Sequence, residues 1–177
     1  MVESRMSRNW VAIALIACPA IVIMGSASGW LSNSGYSNEW FASLAKPAFM
    51  PPGWMFGVVW TTLYVLMGVA LAMVWAAPRA PERSAVLLLF FVQLAVNYAW
   101  SPIFFGAGMI EIGLLTILVM FALAAATAWR FANIRPLAGW LLVPYLAWLC
   151  LATALNFEIG RLNPGSDSAP VGIFGEE

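Results

Sequence analysis

The chain has 177 residues, of which 63% are hydrophobic and only 9% are charged, whereas an ordinary soluble domain carries roughly 25% charged residues. Its 8 basic and 8 acidic residues cancel, so no excess of positive charge attracts a polyanion such as nucleic acid. Histidine is absent, which excludes a histidine-ligated haem or zinc site and a Ser-His-Asp triad. The composition therefore excludes a cytosolic enzyme, a disordered chain and a nucleic-acid-binding protein, and it predicts an integral membrane protein.

Charged residues are missing from five long windows, 9–38, 53–78, 84–110, 112–129 and 136–157. A helix that spans a bilayer needs roughly 20 apolar residues, and backbone groups in lipid must be hydrogen-bonded within their own segment. The sequence therefore predicts an all-α integral membrane protein. We expect a bundle of five transmembrane helices, at about 10–31, 53–76, 84–104, 109–131 and 137–159.

These helices form one transmembrane domain over residues 10–163, preceded by an N-terminal tail, 1–9. The first loop, 32–52, is long, apolar and rich in proline, which predicts a lid that packs on the helices. Residues 164–177 begin with small and polar residues, which favours a flexible C-terminal tail.

The first apolar segment allows an alternative interpretation. Arg5 and Arg8 precede an apolar run that ends in Ser-Ala-Ser at 26–28, and this order resembles a signal peptide with its cleavage region. Removal of that segment would leave four helices. Gly25 and Gly29 would let another helix approach closely, although chance spacing of small residues explains them equally well.

Positive charges are distributed unequally between the two ends of the predicted bundle. The N-terminus and the second and fourth loops hold Arg5, Arg8, Arg79, Arg83, Arg130 and Arg135, whereas the opposite end holds Lys46 and Arg161. If the chain lies in an inner membrane, the positive-inside rule predicts a cytoplasmic N-terminus, with the first loop and the C-terminus facing outward. The sequence does not distinguish an inner from an outer bacterial membrane.

Few other charged residues come near a predicted span. We expect Glu111, Arg130, Glu158 and Arg161 to be solvated at the membrane interface, and the three-residue spacing of the last two predicts an ion pair. No row of acidic residues follows a span, which disfavours a proton-relay pump. The sequence has no cluster of metal ligands and no glycine-rich phosphate loop.

Nine of the ten tryptophans fall into two groups, and the tenth, Trp40, lies in the first loop. Six tryptophans near span ends are explained by an interfacial aromatic belt. They are Trp10, Trp30, Trp54, Trp75, Trp129 and Trp140. A belt does not explain Trp60, Trp100 and Trp148, which lie well inside spans or, for Trp100, two residues before a proline that would kink the helix.

Three predicted helices carry polar and aromatic residues at helical spacing. The stripes are Trp60 and Tyr64, then Gln93, Asn97 and Trp100, then Tyr145, Trp148, Ala152, Leu155 and Asn156. Amide groups that face lipid are costly. The stripes therefore predict an aromatic-walled cavity for a flat, mostly apolar ligand, or packing in which amide groups hydrogen-bond between helices. Spacing alone favours neither.

Four longer motifs follow one another along residues 10–163. They are Trp40-Phe41-x2-Leu44-x-Lys46-Pro47-x3-Pro51-Pro52, Trp60-x2-Leu63-Tyr64, Gln93-Leu94-Ala95-x-Asn97-x-Ala99-Trp100-x-Pro102-Ile103-Phe104-Phe105-Gly106 and Pro144-Tyr145-Leu146-Ala147-Trp148-x3-Ala152-Thr153-x-Leu155-Asn156-Phe157. Together they resemble the TspO/translocator protein (TspO/MBR) family. These are the tryptophan-rich sensory proteins, whose mitochondrial members are the peripheral-type benzodiazepine receptors.

The resemblance implies a five-helix bundle, often a homodimer, with a ligand pocket between the helices under the first loop. It implies protoporphyrin or haem as ligand, with sterols and benzodiazepine-type drugs as further ligands and no required cofactor or metal. Carried over residue by residue, it places Trp60, Tyr64, Asn97, Trp148, Ala152 and Leu155 in the pocket and Trp40 and Pro51 in the lid. The stripes add Trp100, Tyr145 and Asn156 as candidate ligand-binding residues.

Two positions depart from the family pattern. Phe49 stands where the family often has tryptophan. This candidate lid residue keeps a ring that stacks but lacks an indole for electron or hydrogen-bond donation, which argues against light-driven chemistry. The cholesterol-recognition pattern lacks its tyrosine, since Leu155, Phe157 and Arg161 occupy the corresponding positions, and that class of motif is weak.

The favoured interpretation is a membrane receptor or carrier that binds porphyrins or haem and regulates tetrapyrrole metabolism or transport. A first alternative is an enzyme that degrades protoporphyrin in light, with Trp148 and Trp60 as its reactive side chains. A second alternative is a sterol or lipid transporter. A binding protein returns the porphyrin unchanged, whereas an enzyme yields a new chromophore, so product analysis separates the first two.

Overall fold

A computed structural model of the chain describes residues 2–78, 82–169 and 171–174, with side chains from residue 10 onward. The elements in these ranges are α1 (Val2–Leu31), α2 (Glu39–Ser43), α3 (Gly53–Trp75), α4 (Arg83–Ser101), a π-helical turn (Pro102–Gly106), α5 (Ile110–Ile134), α6 (Pro136–Trp140) and α7 (Val143–Leu162). Five segments are long and apolar enough to cross a membrane, namely Trp10–Leu31, Gly53–Trp75, Arg83–Gly106, Ile110–Ile134 and Pro136–Leu162. The predicted five-helix membrane fold is confirmed.

The last span differs from the single helix predicted over 137–159. It consists of α6 and α7, separated by a turn at residues 141–142. Pro144 lies in the first turn of α7. Proline has no backbone N–H and its ring clashes with the carbonyl four residues earlier, so α6 ends at Trp140 and a new helix begins.

Both ends of the domain also differ from the sequence interpretation. The helix α1 begins at Val2, so most of the segment interpreted as an N-terminal tail continues the first helix. At the other end, residues 163–169 and 171–174 fold back and form hydrogen bonds with the bundle. Met1, Arg79 of the predicted charge asymmetry, and residues 175–177 lie outside the described residues.

The predicted lid packs on the bundle through the short helix α2. Asn38 caps this helix, because its Oδ1 accepts a hydrogen bond from Phe41 N at 3.0 Å, and its Nδ2 donates to Phe105 O at 3.0 Å. At the other end, Lys46 Nζ donates to Phe41 O at 2.7 Å and to Leu44 O at 2.9 Å. Partial burial lowers the pKa of Lys46.

Glycines let α1 and α3 touch. A β-carbon on Gly68 would lie 2.7 Å from Cys18 Sγ and 2.8 Å from Cys18 Cα, and one on Gly25 would lie 2.2 Å from the Tyr64 ring. The close approach predicted at Gly25 is therefore confirmed. Gly29 has no such role, since its nearest contact would be Ser34 at 3.8 Å.

Charged residues near the span ends follow the prediction with one exception. Arg161 Nη2 lies 2.8 Å from Glu158 Oε2, so the predicted ion pair is confirmed. Arg130 Nη1 lies 3.2 Å from Glu82 Oε2 on the surface. The prediction for Glu111 is wrong, because only 4% of this residue is exposed and its carboxylate accepts backbone hydrogen bonds from the C-terminal segment.

Candidate ligand-binding site

A cavity of about 610 Å³ lies inside the bundle beneath the lid. This volume falls within the range of roughly 300–1,000 Å³ that is typical of small-molecule sites. Of the residues that the sequence singles out, the cavity is lined by Trp60, Tyr64, Asn97, Trp100, Trp148, Ala152, Leu155 and Asn156. Helices that are far apart in sequence thus bring most of the candidate residues to one place.

Aromatic rings form one corner of the cavity. Trp60 and Tyr64, one turn apart on α3, have ring centroids 5.3 Å apart. The Trp60 ring stands nearly perpendicular to that of Trp148 on α7, with the centroids 6.4 Å apart and an interplanar angle of 85°. Such edge-to-face pairs are a favoured aromatic geometry, and they present both a flat face and a ring edge to the interior.

A hydrogen-bonded chain joins three helices at the cavity wall. Tyr64 Oη donates to Asn97 Oδ1 at 2.9 Å, and Asn97 Nδ2 donates to Tyr145 Oη at 2.9 Å. Tyr145 is only 1% exposed and lies behind the wall. Asn97 therefore lines the cavity and also links α3, α4 and α7, so this residue of the polar stripe belongs both to the cavity wall and to the contacts between helices.

The other amide of that stripe has a different place. Gln93 is buried one turn before Asn97 on α4, where its Nε2 lies 3.9 Å from Met67 Sδ on α3. It packs between the helices and does not line the cavity. For Gln93, interhelical packing is the correct interpretation.

The roof of the cavity is built from a cluster of aromatic rings. Trp100 stacks on Phe104 with the centroids 4.9 Å apart and an interplanar angle of 13°. Phe41 of α2 lies 5.0 Å from Phe105 and 6.1 Å from Phe104. Trp100 therefore belongs to the aromatic roof of the cavity and not to the interfacial belt.

Four candidate residues do not line the cavity. Trp40 is half-buried and packs on the Phe104 ring at 5.5 Å from outside the roof. Phe49 is 50% exposed on the lid, Pro51 is buried within the lid, and Tyr145 lies behind Asn97. Neighbouring residues of a helix point about 100° apart, and on α2 it is Phe41 that lines the cavity while Trp40 does not. The lid therefore contributes other lining residues than those implied by the family resemblance.

Several lining residues were missed by the sequence interpretation. On α1 they are Gly25 and Ser26, and on α5 they are Ile117 and Met120. These stretches of α1 and α5 contain only small or apolar residues, so they give no polar stripe. The glycine spacing on α1 was the one available signal, and it indicated close packing without indicating a cavity.

The cavity opens between α1 and α3 near the lid. Ser26 and Trp30 on α1 and Gly57 and Thr61 on α3 line the cavity and are also exposed. A β-carbon placed on Gly57 would have no atom within 4 Å, so this edge of the cavity is unobstructed. Since both helices are candidate spans, the opening faces the lipid.

The chemistry of the lining is neutral. Within the part of the chain that the structure describes, no charged side chain lines the cavity. Small polar groups cluster on the lid side of the opening, at Asn33, Ser34 and Ser37. The arrangement suits a flat apolar molecule whose polar groups lie toward the opening.

The five spans and the enclosed aromatic cavity define a multi-pass integral membrane protein with an internal site. Residues 15–162 match the TspO/MBR family. The chain is 44% identical to human translocator protein over 133 residues, which are 74% of this chain and 79% of the relative. It is 38% identical to protein CrtK of Rhodobacter capsulatus over 161 residues, or 90% and 96% of the two chains.

A further relative is the tryptophan-rich sensory protein of Cereibacter sphaeroides. It is 43% identical over 127 residues, which are 71% of this chain and 78% of the relative. The chain therefore belongs to the TspO/MBR family, and the resemblance stated from its motifs is confirmed.

Proposed function

We propose that the protein is a membrane receptor or carrier that binds a porphyrin or haem in this cavity and acts in the regulation or transport of tetrapyrroles. The observation that supports the proposal is the corner formed by Trp60 and Trp148, whose rings stand 6.4 Å apart at 85° in a neutral cavity of about 610 Å³. A planar macrocycle that stacks on one ring meets the edge of the other, and both contacts are favourable for aromatic systems.

The polar groups of such a ligand also have a place. The carboxylates of a porphyrin are costly to bury without a partner. The interior offers amide and phenol groups that already bond to each other at Tyr64 and Asn97, whereas Asn33, Ser34 and Ser37 lie near the opening. We therefore orient the macrocycle inside the cavity and its carboxylates toward these polar residues on the lid side of the opening, away from the lipid.

A light-dependent enzyme is the second candidate, and one observation favours keeping it. Phe49, which replaces a tryptophan common in the family, is exposed on the lid and does not line the cavity. Its missing indole therefore removes no group from the cavity wall, where Trp60 and Trp148 remain. Phe49 therefore gives no reason against photochemistry inside the cavity.

The experiment is a titration of the purified protein with protoporphyrin IX, in the dark and under illumination. Tryptophan quenching reports binding and the absorbance spectrum reports the product. Trp148→Phe should reduce the quenching caused by bound protoporphyrin. The control Trp129→Phe, a change at an exposed position on α5, should leave that quenching unchanged. A receptor or carrier returns the porphyrin unchanged in light, an enzyme yields a new chromophore, and absence of quenching would contradict both functions.

A further inference from the structure

The carboxylate of Glu111 is buried in the first turn of α5 without a basic side chain as partner in the described residues. It accepts backbone hydrogen bonds from Val171 N at 2.5 Å, Ile173 N at 3.1 Å and Phe174 N at 3.2 Å. Hydrogen bonds to an ionised acceptor are stronger than neutral ones. Glu111 therefore holds the end of the chain in place.

A second carboxylate, on the C-terminal segment, accepts a hydrogen bond from the backbone of α5. Asp167 Oδ2 accepts a hydrogen bond from Glu111 N, the first turn of α5, at 2.7 Å. Ser168 N donates to Gly108 O at 3.1 Å, and Ser168 Oγ donates to Ala107 O. The turn before α5 and the C-terminal segment are thus tied together at several points.

The same segment is bonded to the lid. Asn163 Nδ2 donates to Ala45 O at 2.8 Å, and Asn163 Oδ1 accepts from Ala45 N at 2.7 Å. Trp40 Nε1 donates to Ser166 O at 3.3 Å. We name residues 163–169 and 171–174 the C-terminal strap, since they join the start of α5 to the lid.

A close packing contact fixes the end of the strap. A β-carbon on Gly160 of α7 would lie 2.1 Å from the Phe174 ring, so only glycine leaves room for the ring there. Phe157 lies 5.4 Å from Phe174 between ring centroids. Polar and apolar contacts therefore hold the same few residues.

We propose that the C-terminal strap is a latch for the lid, with Glu111 as its positioning residue, and that the latch sets how fast a ligand leaves the cavity. Two ring contacts connect the strap to the lining of the cavity. The Trp40 ring that bonds to the strap packs on Phe104 at 5.5 Å, and Phe104 stacks on Trp100 at 4.9 Å. Phe104 and Trp100 line the cavity, so the lid cannot lift from this roof without breaking its bonds to the strap.

The latch itself is tested without ligand, by hydrogen exchange of the protein in detergent. Glu111→Ala removes the acceptor for three backbone amides and should raise exchange in residues 171–174 and in residues 38–50 of the lid. The control is Glu158→Ala at the same end of the bundle, where an exposed ion pair with Arg161 is lost and the lid should not change. Faster exchange in the strap with an unchanged lid would overturn the proposal.

The effect on ligand release rests on the proposed function and is measured with protoporphyrin IX as the probe. A lid that lifts more easily opens the cavity for exit and entry alike, so we expect Glu111→Ala to release protoporphyrin about tenfold faster and to bind it faster as well. If the lid of the variant exchanges faster but protoporphyrin leaves at an unchanged rate, the latch does not set the rate of release. Failure of the unmodified protein to bind protoporphyrin would contradict the proposed function, while lid exchange would still decide the latch.

A second variant guards against misfolding of the first. Asn163→Ala removes the two hydrogen bonds to Ala45 at the lid end of the strap and leaves α5 and Glu111 intact. It should raise lid exchange and protoporphyrin release in the same direction as Glu111→Ala. If Glu111→Ala does not fold and Asn163→Ala changes neither quantity, the strap is only a structural cover and the proposal is wrong.

Discussion

Tyr64 donates a hydrogen bond of 2.9 Å to Asn97, and so joins α3 to α4 at the wall of the cavity. The same amide donates to Tyr145 on α7. One buried asparagine therefore fixes the relative positions of three helices, and these helices carry the aromatic and polar lining. Helix packing and the cavity wall depend on the same side chain here, because buried amides must be paired wherever they lie.

Replacing Asn97 should therefore lower stability more than removing one of its partners. Asn97→Ala leaves the hydroxyl groups of Tyr64 and Tyr145 without this partner, and each unsatisfied buried group costs about 1–3 kcal/mol. Tyr64→Phe removes only one donor and should cost less. Thermal unfolding in detergent measures both changes, and equal midpoints for Asn97→Ala and the unmodified protein would contradict the role assigned to this amide.

Ala152 should set the room available to a ligand beside α7. It lines the cavity one turn from Trp148, and Ala152→Leu adds three carbons where a planar ring would lie. Overpacking costs about 1–3 kcal/mol, which corresponds to a roughly 5- to 150-fold loss of protoporphyrin affinity. Trp148→Phe should cost less, because a smaller ring still stacks.

The control for Ala152 is Ala147→Leu, at an exposed position on the same helix. It should leave affinity unchanged. Fluorescence titration and thermal unfolding are measured on the same preparation of each variant. If Ala152→Leu lowers stability while the folded fraction binds protoporphyrin as before, this face of α7 is a packed seam and not a ligand contact.

The sequence predicts the helices better than it predicts the lining. Long uncharged windows dictate five spans, because a charged group in lipid is costly. Polar stripes on α3, α4 and α7 indicate most of the residues that meet at the cavity. The contribution of α1 and α5 was missed, since apolar residues such as Ile117 and Met120 look the same whether they face lipid, a neighbouring helix or a cavity.

Glu111 shows a second limit of the sequence. A single carboxylate at a span end is usually solvated at the interface, and nothing near it in the sequence suggests a partner. Its partners are backbone amides about 60 residues further on, and every residue except proline has such an amide. A partner without a side-chain signature cannot be found from residue types, so the small and polar residues after residue 163 predict a flexible tail where the structure has the strap.

Porphyrin should bind without axial ligation of a metal. The chain has no histidine, neither cysteine lines the cavity, and Met120 Sδ already lies 3.4 Å from Asn97 Nδ2. We therefore expect metal-free and iron-containing porphyrins to bind within about tenfold of each other, or ~1.4 kcal/mol. Parallel titrations and haem absorbance spectra check this, and a spectrum with thiolate or thioether ligation would contradict it.

The opening between α1 and α3 should limit the rate at which a ligand enters. Gly57→Phe places a ring where a β-carbon has no neighbour within 4 Å, so the fold should tolerate it while the opening narrows. We expect association of protoporphyrin to slow about tenfold, because entry then needs a conformational change. The control Val58→Phe alters an exposed neighbour on α3 that does not line the cavity. Equal stopped-flow association rates for both variants would place the entry route elsewhere.

The lid and the C-terminus should lie on the same side of the membrane, opposite the N-terminus. The pairing of Asn163 with Ala45 brings the strap and the first loop together at one end of the bundle, and five spans separate that end from the N-terminus. Arg83, Arg130 and Arg135 lie at the other end, so the positive-inside rule places the N-terminus in the cytoplasm if the membrane is an inner one.

Single cysteines introduced at Ala48 of the lid and at Ser7, in a background without Cys18 and Cys150, are labelled in intact cells with an impermeant maleimide. We expect labelling at residue 48 alone. Labelling at residue 7 alone would show the inverted orientation, and equal labelling of both in sealed cells would contradict five spans.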